Sequence, residues 1–311
     1  MKKEIVFLVG PTASGKTETA FFLAKKINAE IVSCDSMQVY RRMDILTSKP
    51  SLLLRDSLPH HLINVVPIDK EYDVSCYRRQ AVKKIKEVIK KGKVPLCVGG
   101  AGLYMSILID GIFPHCPADE GLRKRLYRQG QVRGSGYLYG KLKEVDPEAA
   151  LKIHPHDKRR IIRALEVFFI KGKPISYFQK RRRGLADKYR IRILCLDMPR
   201  SELYAQINRR VNEMFSRGII AEAEMLLEQK ISKTASYAIG LKELKGYFDG
   251  MYSLSEVKEK IKQNTRLYAK RQLTWFRKDK RIEWVSVKGK DTPRRVAGRI
   301  YGMLMGHKQK V

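Results

Sequence analysis

The chain has 311 residues, 43% of them apolar, and carries 64 lysines and arginines against 32 aspartates and glutamates, a formal charge of +32. Enough apolar material is present for one large or two moderate domains, which excludes a chain that is disordered as a whole. The basic excess is larger than solubility requires and points to a polyanionic partner, nucleic acid first, with a merely basic solvated surface as the bland alternative.

Ile5–Val9 is a short apolar run that ends at glycine, as buried parallel strands do. Thr17–Ile27 reads as a helix with Ala20, Leu23, Ala24 and Ile27 on one face. Glu30–Cys34 is a second strand that stops at Asp35, and His61–Val66 is a candidate third. Tyr77–Lys91 is a basic amphipathic helix closed by Gly92, and Val94–Val98 is a strand that runs into Gly99-Gly100. This rhythm predicts an α/β fold: a P-loop-type parallel sheet core flanked by helices. From Asp119 to Arg183 the pattern is helical, with a flexible tip or turn at Arg133–Gly136. A strand returns at Ile191–Leu196, helices continue to about Lys278, and a short strand covers Ile282–Val287. The expected organisation is therefore an α/β core, residues 1–114 and 189–311, interrupted by a helical insertion domain at 115–188. The last residues, Lys308-Gln309-Lys310, read as a frayed basic tail.

Five cysteines, Cys34, Cys76, Cys97, Cys116 and Cys195, include no C-x-x-C pair, so reduced and mostly buried thiols in a cytoplasm are expected rather than disulfides or a zinc ribbon. No signal peptide is expected ahead of the first strand, and no apolar stretch reaches the ~18 residues of a membrane span. The adjacent His60 and His61 read as loop or core residues, not as a metal site.

Gly10-Pro11-Thr12-Ala13-Ser14-Gly15-Lys16-Thr17 matches G-x-x-x-x-G-K-[ST] between a strand and a helix, the context that gives this motif its meaning. Glycines let backbone N–H groups curl around phosphate oxygens, and the following helix contributes its positive end. Lys16 supplies a mobile charge. The Thr17 hydroxyl can ligate Mg²⁺, whose other ligands are usually water and substrate phosphate oxygens. The motif does not say which phosphate compound is bound. Asp35 ends the second strand and should face this loop, because ligands of open α/β sheets sit at the carboxyl ends of strands. A carboxylate there can be a general base, support Mg²⁺, or cap the turn that follows. On the late helix, ~100° per residue puts Val257, Ile261, Tyr268 and Trp275 on one face, read as core, and Arg266, Lys270 and Arg277 on the opposite, basic face.

Taken together, Gly10–Thr17, Asp35-Ser36-Met37-Gln38-Val39-Tyr40 and Thr47-Ser48-Lys49-Pro50 resemble the tRNA dimethylallyltransferases, also called tRNA isopentenyltransferases. Further blocks in the same order strengthen the resemblance: His60-His61-Leu62, Gly99-Gly100-Ala101-Gly102-Leu103-Tyr104, and His154 through Arg163-Ala164-Leu165-Glu166-Val167. Near the end come Ala238-Ile239-Gly240 and Thr265-Arg266-Leu267-Tyr268-Ala269-Lys270-Arg271-Gln272. Three positions depart from the family pattern: Ala101 replaces a usual threonine, removing a hydroxyl contact, His156 an asparagine, and Leu241 a common aromatic.

The resemblance implies transfer of a dimethylallyl group from its diphosphate to N6 of adenosine 37 in the tRNA anticodon stem-loop, with Mg²⁺. It implies Asp35 as the base, Thr12 and Lys16 near the reacting groups, and Arg210 on the diphosphate, although Arg210 read alone is a solvated helix charge. For RNA it implies Asp35, Ser36, Met37 and Gln38 at an extruded base, with Ala101, Arg123, Arg159, Arg160, Ile161, Ile162 and Arg163 along the anticodon arm. Arg266, Lys270 and Arg277 join them on the strength of the basic stripe. A monomer without membrane contact is expected. Two competing readings use the same motifs: a nucleotide or small-molecule kinase, and an RNA-binding protein with a vestigial loop.

Overall fold

The computed structural model describes residues 2–113 and 116–306; the basic tail at 308–310 and the seam at 114/115 lie outside the described residues. The elements alternate at first: β1 (Glu4–Val9), α1 (Lys16–Lys26), β2 (Ala29–Ser33), α2 (Leu52–Ser57), β3 (His60–His61), α3 (Val74–Lys90), β4 (Val94–Gly99) and α4 (Gly102–Ile109). Five helices follow, α5 (Glu120–Val132), α6 (Ser135–Val145), α7 (Pro147–Lys152), α8 (Lys158–Lys171) and α9 (Ile175–Gln179). The chain then returns through β5 (Arg190–Asp197), α10 (Arg200–Ser216), α11 (Ile219–Leu227), α12 (Leu241–Phe248), α13 (Leu254–Phe276), β6 (Ile282–Ser286) and α14 (Pro293–Gly306).

Six strands form one parallel sheet in the order β3-β2-β4-β1-β5-β6. β1 is central, with Val6 opposite Leu96 on one side and Arg192 on the other. Ile5 to Val9 are all buried, because helices cover both faces and the strand is apolar throughout. Val6, Leu8, Leu96 and Leu194 pack on Ala20 and Leu23 of α1 and on Val296 and Ile300 of α14. The carboxyl end of β1, where the phosphate loop begins, therefore lies in the middle of the sheet.

The chain divides into two compact units, Met1–Ile109 with Lys188–Val311, and Asp110–Asp187. The second has a core of its own, built from Leu126, Leu138, Leu142, Ile161, Ile162 and Leu165. Its α5 and α6 are joined by a tight turn at Arg133-Gly134, with Gly134 at φ 82°, and Gly136 already belongs to α6.

One strand differs from expectation. β3 is two residues long, not six, since Leu62 and Asn64 adopt φ of 66° and 57° and turn the chain out of the extended region. Val66 only forms an isolated bridge with Tyr40. Four of the five cysteines are buried and all are free thiols. No described helix is long and apolar enough to cross a membrane.

Candidate active site

The loop between β1 and α1 is a cradle of left-handed residues: Gly10 at φ 151°, Ala13 at 62° and Gly15 at 78°. Ala13 pays for this with steric strain, which persists where the surroundings over-determine it and a function uses it. Gly15 caps α1 without any side-chain bond, leaving the first N–H groups of that helix for a ligand. Ser14 Oγ is buried with no hydrogen-bond partner among the described residues. An orphaned hydroxyl beside free helix N–H groups suits phosphate oxygens.

Two cations converge here. Lys16 donates from Nζ to Pro11 O at 2.5 Å and forms no ion pair among the described residues. Burial, then repulsion by Arg210, lowers its pKa to about 8. Arg210, on α10, donates from Nε to Ser48 Oγ at 2.8 Å and from Nη1 to Thr12 Oγ1 at 3.4 Å. Burial lowers its pKa as well. Among the described residues neither cation has a carboxylate partner in hydrogen-bond range, so the pair holds positive charge ready for an incoming anion. Arg209, next along α10, is exposed and instead bonds Gln206 and pairs with Glu213, which separates the two neighbouring arginines. A cavity of about 750 Å³ opens on the loop, lined by Lys16, Thr17, Ser48 and Arg210. Thr17 is thereby placed where its hydroxyl can reach a cation held by phosphate oxygens.

Asp35 follows β2. Its Oδ1 accepts from the backbone N–H of Met37 at 2.8 Å and of Gln38 at 3.2 Å. The turn-cap role is therefore real. Among the described residues Oδ2 takes part in no hydrogen bond, and it stays available to accept a proton. Ser36 and Met37 are half-buried beside it, as is Ala101, whose N–H donates to Cys34 O at 3.2 Å. The Gln38 amide is already engaged: Oε1 accepts from Ser33 Oγ at 3.4 Å, and Nε2 donates to Thr47 O and Ser48 O at 3.4 and 3.3 Å.

Three functional side chains were not singled out in the sequence. Ser48 is the anchor of Arg210. Glu222, buried on α11, accepts from the backbone N–H groups of Asp44, Ile45 and Leu46 at 2.9, 2.8 and 2.7 Å, and so fixes the loop that carries Ser48. Gln272, buried on α13, accepts from Thr12 N–H at 2.9 Å and donates to Gly100 O at 2.9 Å. A polar residue recurring on the apolar face of α13 was the available signal for Gln272. Nothing local marks Glu222, whose partners are nearly 180 positions away.

On α13 the buried face is Val257, Ile261, Ala269, Gln272 and Phe276. Trp275 does not join it as the periodicity suggests. It is 37% exposed and lies over Gly102, where an added Cβ would meet the indole at 2.2 Å. Lys270 and Arg277 are exposed, whereas Arg266 donates to Asn208 Oδ1 at 2.8 Å. In the insertion Arg159 and Arg160 are exposed. Arg123 and Arg163 both bind the fully buried Glu166, at 2.9 and 2.5 Å, and Arg163 also donates to Cys116 O. Ile161 and Ile162 sit in the core, at 0% and 2% exposure; their side chains support the basic surface from beneath and cannot form it. Phe169, farther along the same helix, is 50% exposed. His61 bonds Glu30 at 2.8 Å, and the described residues contain no cluster of three metal-ligating side chains.

A family model for IPP transferases matches residues 38–279, and one for isopentenyl transferases matches residues 3–52. The tRNA dimethylallyltransferase of Geobacter sulfurreducens is 46% identical over 286 residues, 91% of this chain and 92% of that protein. That of Alkaliphilus oremlandii is 41% identical over 310 residues, 99% of each. Among solved structures, a full-length tRNA isopentenylpyrophosphate transferase from Bacillus halodurans superposes with a TM-score of 0.73 at 38% identity, over 100% of this chain and 98% of that one. A eukaryotic dimethylallyltransferase acting on tRNA superposes with a TM-score of 0.81 at 26% identity, over 98% of this chain and 80% of that one.

Proposed function

Since this chain belongs to the IPP transferase family, we propose that its phosphate loop holds dimethylallyl diphosphate with Mg²⁺ and that Asp35 directs the allyl group to N6 of adenosine 37 in the tRNA anticodon loop. The enzyme is a prenyltransferase, and tRNA receives the dimethylallyl group. The relatives are dimethylallyltransferases, not kinases, which favours this reading over phosphoryl transfer.

Breaking the allylic C–O bond puts negative charge on the diphosphate and positive character on the allyl carbon. Lys16, Arg210 and the N–H groups at the start of α1 offset the leaving-group charge as it forms. Thr17 would hold Mg²⁺ there, and the ion would supply further positive charge against the leaving group. The exocyclic amine is a weak nucleophile. Asp35 Oδ2 takes its proton during attack, while Oδ1 stays fixed by the turn. The adenine leaves its stack to reach the loop, and Ser36, Met37 and Gln38 border the position it would occupy. Arg159 and Arg160 on the insertion, and Lys270 and Arg277 on α13, are exposed cations suited to RNA phosphates, whereas Arg123 and Arg163 are tied to Glu166 and Arg266 to Asn208. A cytoplasmic monomer fits the reduced cysteines and this chemistry.

The observation that carries the reading is the pair Lys16 and Arg210, half-buried at the cradle with no carboxylate in hydrogen-bond range among the described residues, on a chain of this family. The test is to incubate the protein with dimethylallyl diphosphate, Mg²⁺ and unmodified tRNA, then digest and weigh the nucleosides. N6-(dimethylallyl)adenosine at position 37 is expected. Nucleoside triphosphate turnover with no prenylated nucleoside would return the chain to the kinase reading.

A further inference from the structure

Thr12 is held from two directions. Its hydroxyl meets Arg210 Nη1 at 3.4 Å, and its backbone N–H is taken by Gln272 Oε1 at 2.9 Å. In a phosphate loop backbone N–H groups normally aim inward at the ligand. The N–H of Thr12 is given away to a side chain 260 residues later, so this part of the loop is clamped from outside. The other end of the same amide donates to Gly100 O at 2.9 Å. The carbonyl lies at the end of β4, so one planar group ties the carboxyl ends of β1 and β4 to α13.

Only a glycine permits this. A Cβ at position 100 would stand 2.0 Å from Gln272 Nε2. The same helix is held a second time one turn on, where Trp275 covers Gly102. It is held a third time from Arg266 to Asn208, two positions before Arg210 on α10. α13 thus fixes both the loop that carries Thr12 and the helix that carries the cation bonded to Thr12.

We propose that Gln272 is a positioning residue of the diphosphate site, acting through Thr12 to hold the phosphate loop in its anion-binding shape. This rests on the reading of the loop as the diphosphate site. Without the amide, the half-buried Thr12 N–H and the buried Gly100 carbonyl lose their partner, and the loop relaxes to satisfy them elsewhere. A displacement of about 1 Å is enough to cost a site ~10²-fold in rate.

The test uses the full chain with Gln272→Met, which keeps length and volume, Gln272→Glu, which keeps the acceptor for Thr12, and Gly100→Ala, which displaces the amide from the other end. Binding of inorganic diphosphate with Mg²⁺ is measured by calorimetry, without RNA. Kinetics with dimethylallyl diphosphate and tRNA are measured in parallel, with the active fraction titrated. Gln272→Met and Gly100→Ala should each weaken diphosphate binding ~10-fold and raise its KM by a similar factor. Affinity for tRNA should stay within twofold, and Gln272→Glu should fall between Gln272→Met and the parent chain. A merely structural role would instead reduce the active fraction and leave the diphosphate Kd and KM of the remaining molecules unchanged, and that outcome overturns the proposal. If the parent chain binds diphosphate but prenylates no tRNA, the functional reading fails while calorimetry still decides the role of Gln272.

Discussion

Two regions of this protein gather arginines and lysines around a buried point, and they do it in opposite ways. In the insertion, Arg123 and Arg163 converge on Glu166, which also accepts the Asp119 N–H, so both charges and both carboxylate oxygens are satisfied internally. At the phosphate loop, the hydrogen bonds of Lys16 and Arg210 among the described residues run only to neutral oxygens, those of Pro11, Ser48 and Thr12. The same side chains make a rivet in one place and a receptor in the other. What separates them is whether the chain supplies the counter-charge itself or leaves that to a ligand.

The largest expected effect concerns the acid beside the receptor. Asp35→Asn keeps an oxygen for the Met37 and Gln38 N–H groups and removes only the charge and the proton acceptor. Single-turnover prenyl transfer should fall by about two to four powers of ten, with diphosphate and tRNA affinities little changed. Near-parental turnover would leave Asp35 as a turn cap and nothing more.

Next in size is the rivet. Glu166→Ala removes the fully buried carboxylate shared by two arginines that are each 32% exposed, and should destabilise the insertion by roughly 2–3 kcal/mol in denaturant unfolding, while diphosphate binding by the rest of the chain is retained. A loss below about 1 kcal/mol would mean that solvent already screens this network.

The receptor should behave in the reverse manner. Arg210→Ala and Lys16→Ala should each weaken diphosphate binding by about 1.5–3 kcal/mol, ten- to more than hundredfold, with little loss of melting temperature, since the bonds removed run only to neutral oxygens. A steep drop in melting temperature with either variant would show that these cations have an internal counter-charge after all.

These expectations also indicate what the sequence could reveal. The phosphate loop, Asp35 and the parallel sheet were legible because each depends on residues close in sequence: a run of glycines, a strand end, a β-α-β rhythm. Arg210 was legible only through the family resemblance, since on its own helix nothing distinguishes it from Arg209. Glu222 and Gln272 act across about 180 and 260 positions, and Arg163 pairs with an acid that periodicity alone would place in the core without a charge partner. Trp275 escaped because the contact that holds it, a bare Gly102, is an absence of side chain.

Two smaller effects refine the comparison. Exposed cations should follow counterion release: Arg159→Ala or Lys270→Ala should flatten the dependence of log Kd for tRNA on log salt by about 0.7–0.9 each. Arg163→Ala should cost stability first. An unchanged slope in both exposed variants would return them to plain solvated charges. The last effect is in pH. The folded pKa of Lys16, about 8, lies below its unfolded value of 10.5, so the unfolded chain binds the extra proton between those values. The contribution of Lys16 therefore destabilises the unliganded protein below pH 8 and fades as pH rises toward 10.5. Relative to Lys16→Met, the parent chain should gain melting temperature across that window; a parallel pair of curves would show that Lys16 is not strained by its surroundings.

The clamp on Thr12 has a consequence for how the protein is made. The phosphate loop leaves the ribosome almost first, yet the residues that hold it are Arg210 and Gln272, the second of them 260 positions behind. Its strand, β1, is equally incomplete until β5 has been synthesised beyond the insertion. At translation speeds of ~5–20 residues per second, the loop waits roughly 13–50 seconds for its last fastening. A ribosome that stalls anywhere before α13 thus releases a chain with a complete phosphate-binding motif and no means of holding it in shape. Premature fragments should be poor competitors for dimethylallyl diphosphate, and synthesis itself keeps the site inactive until nearly all of the enzyme exists.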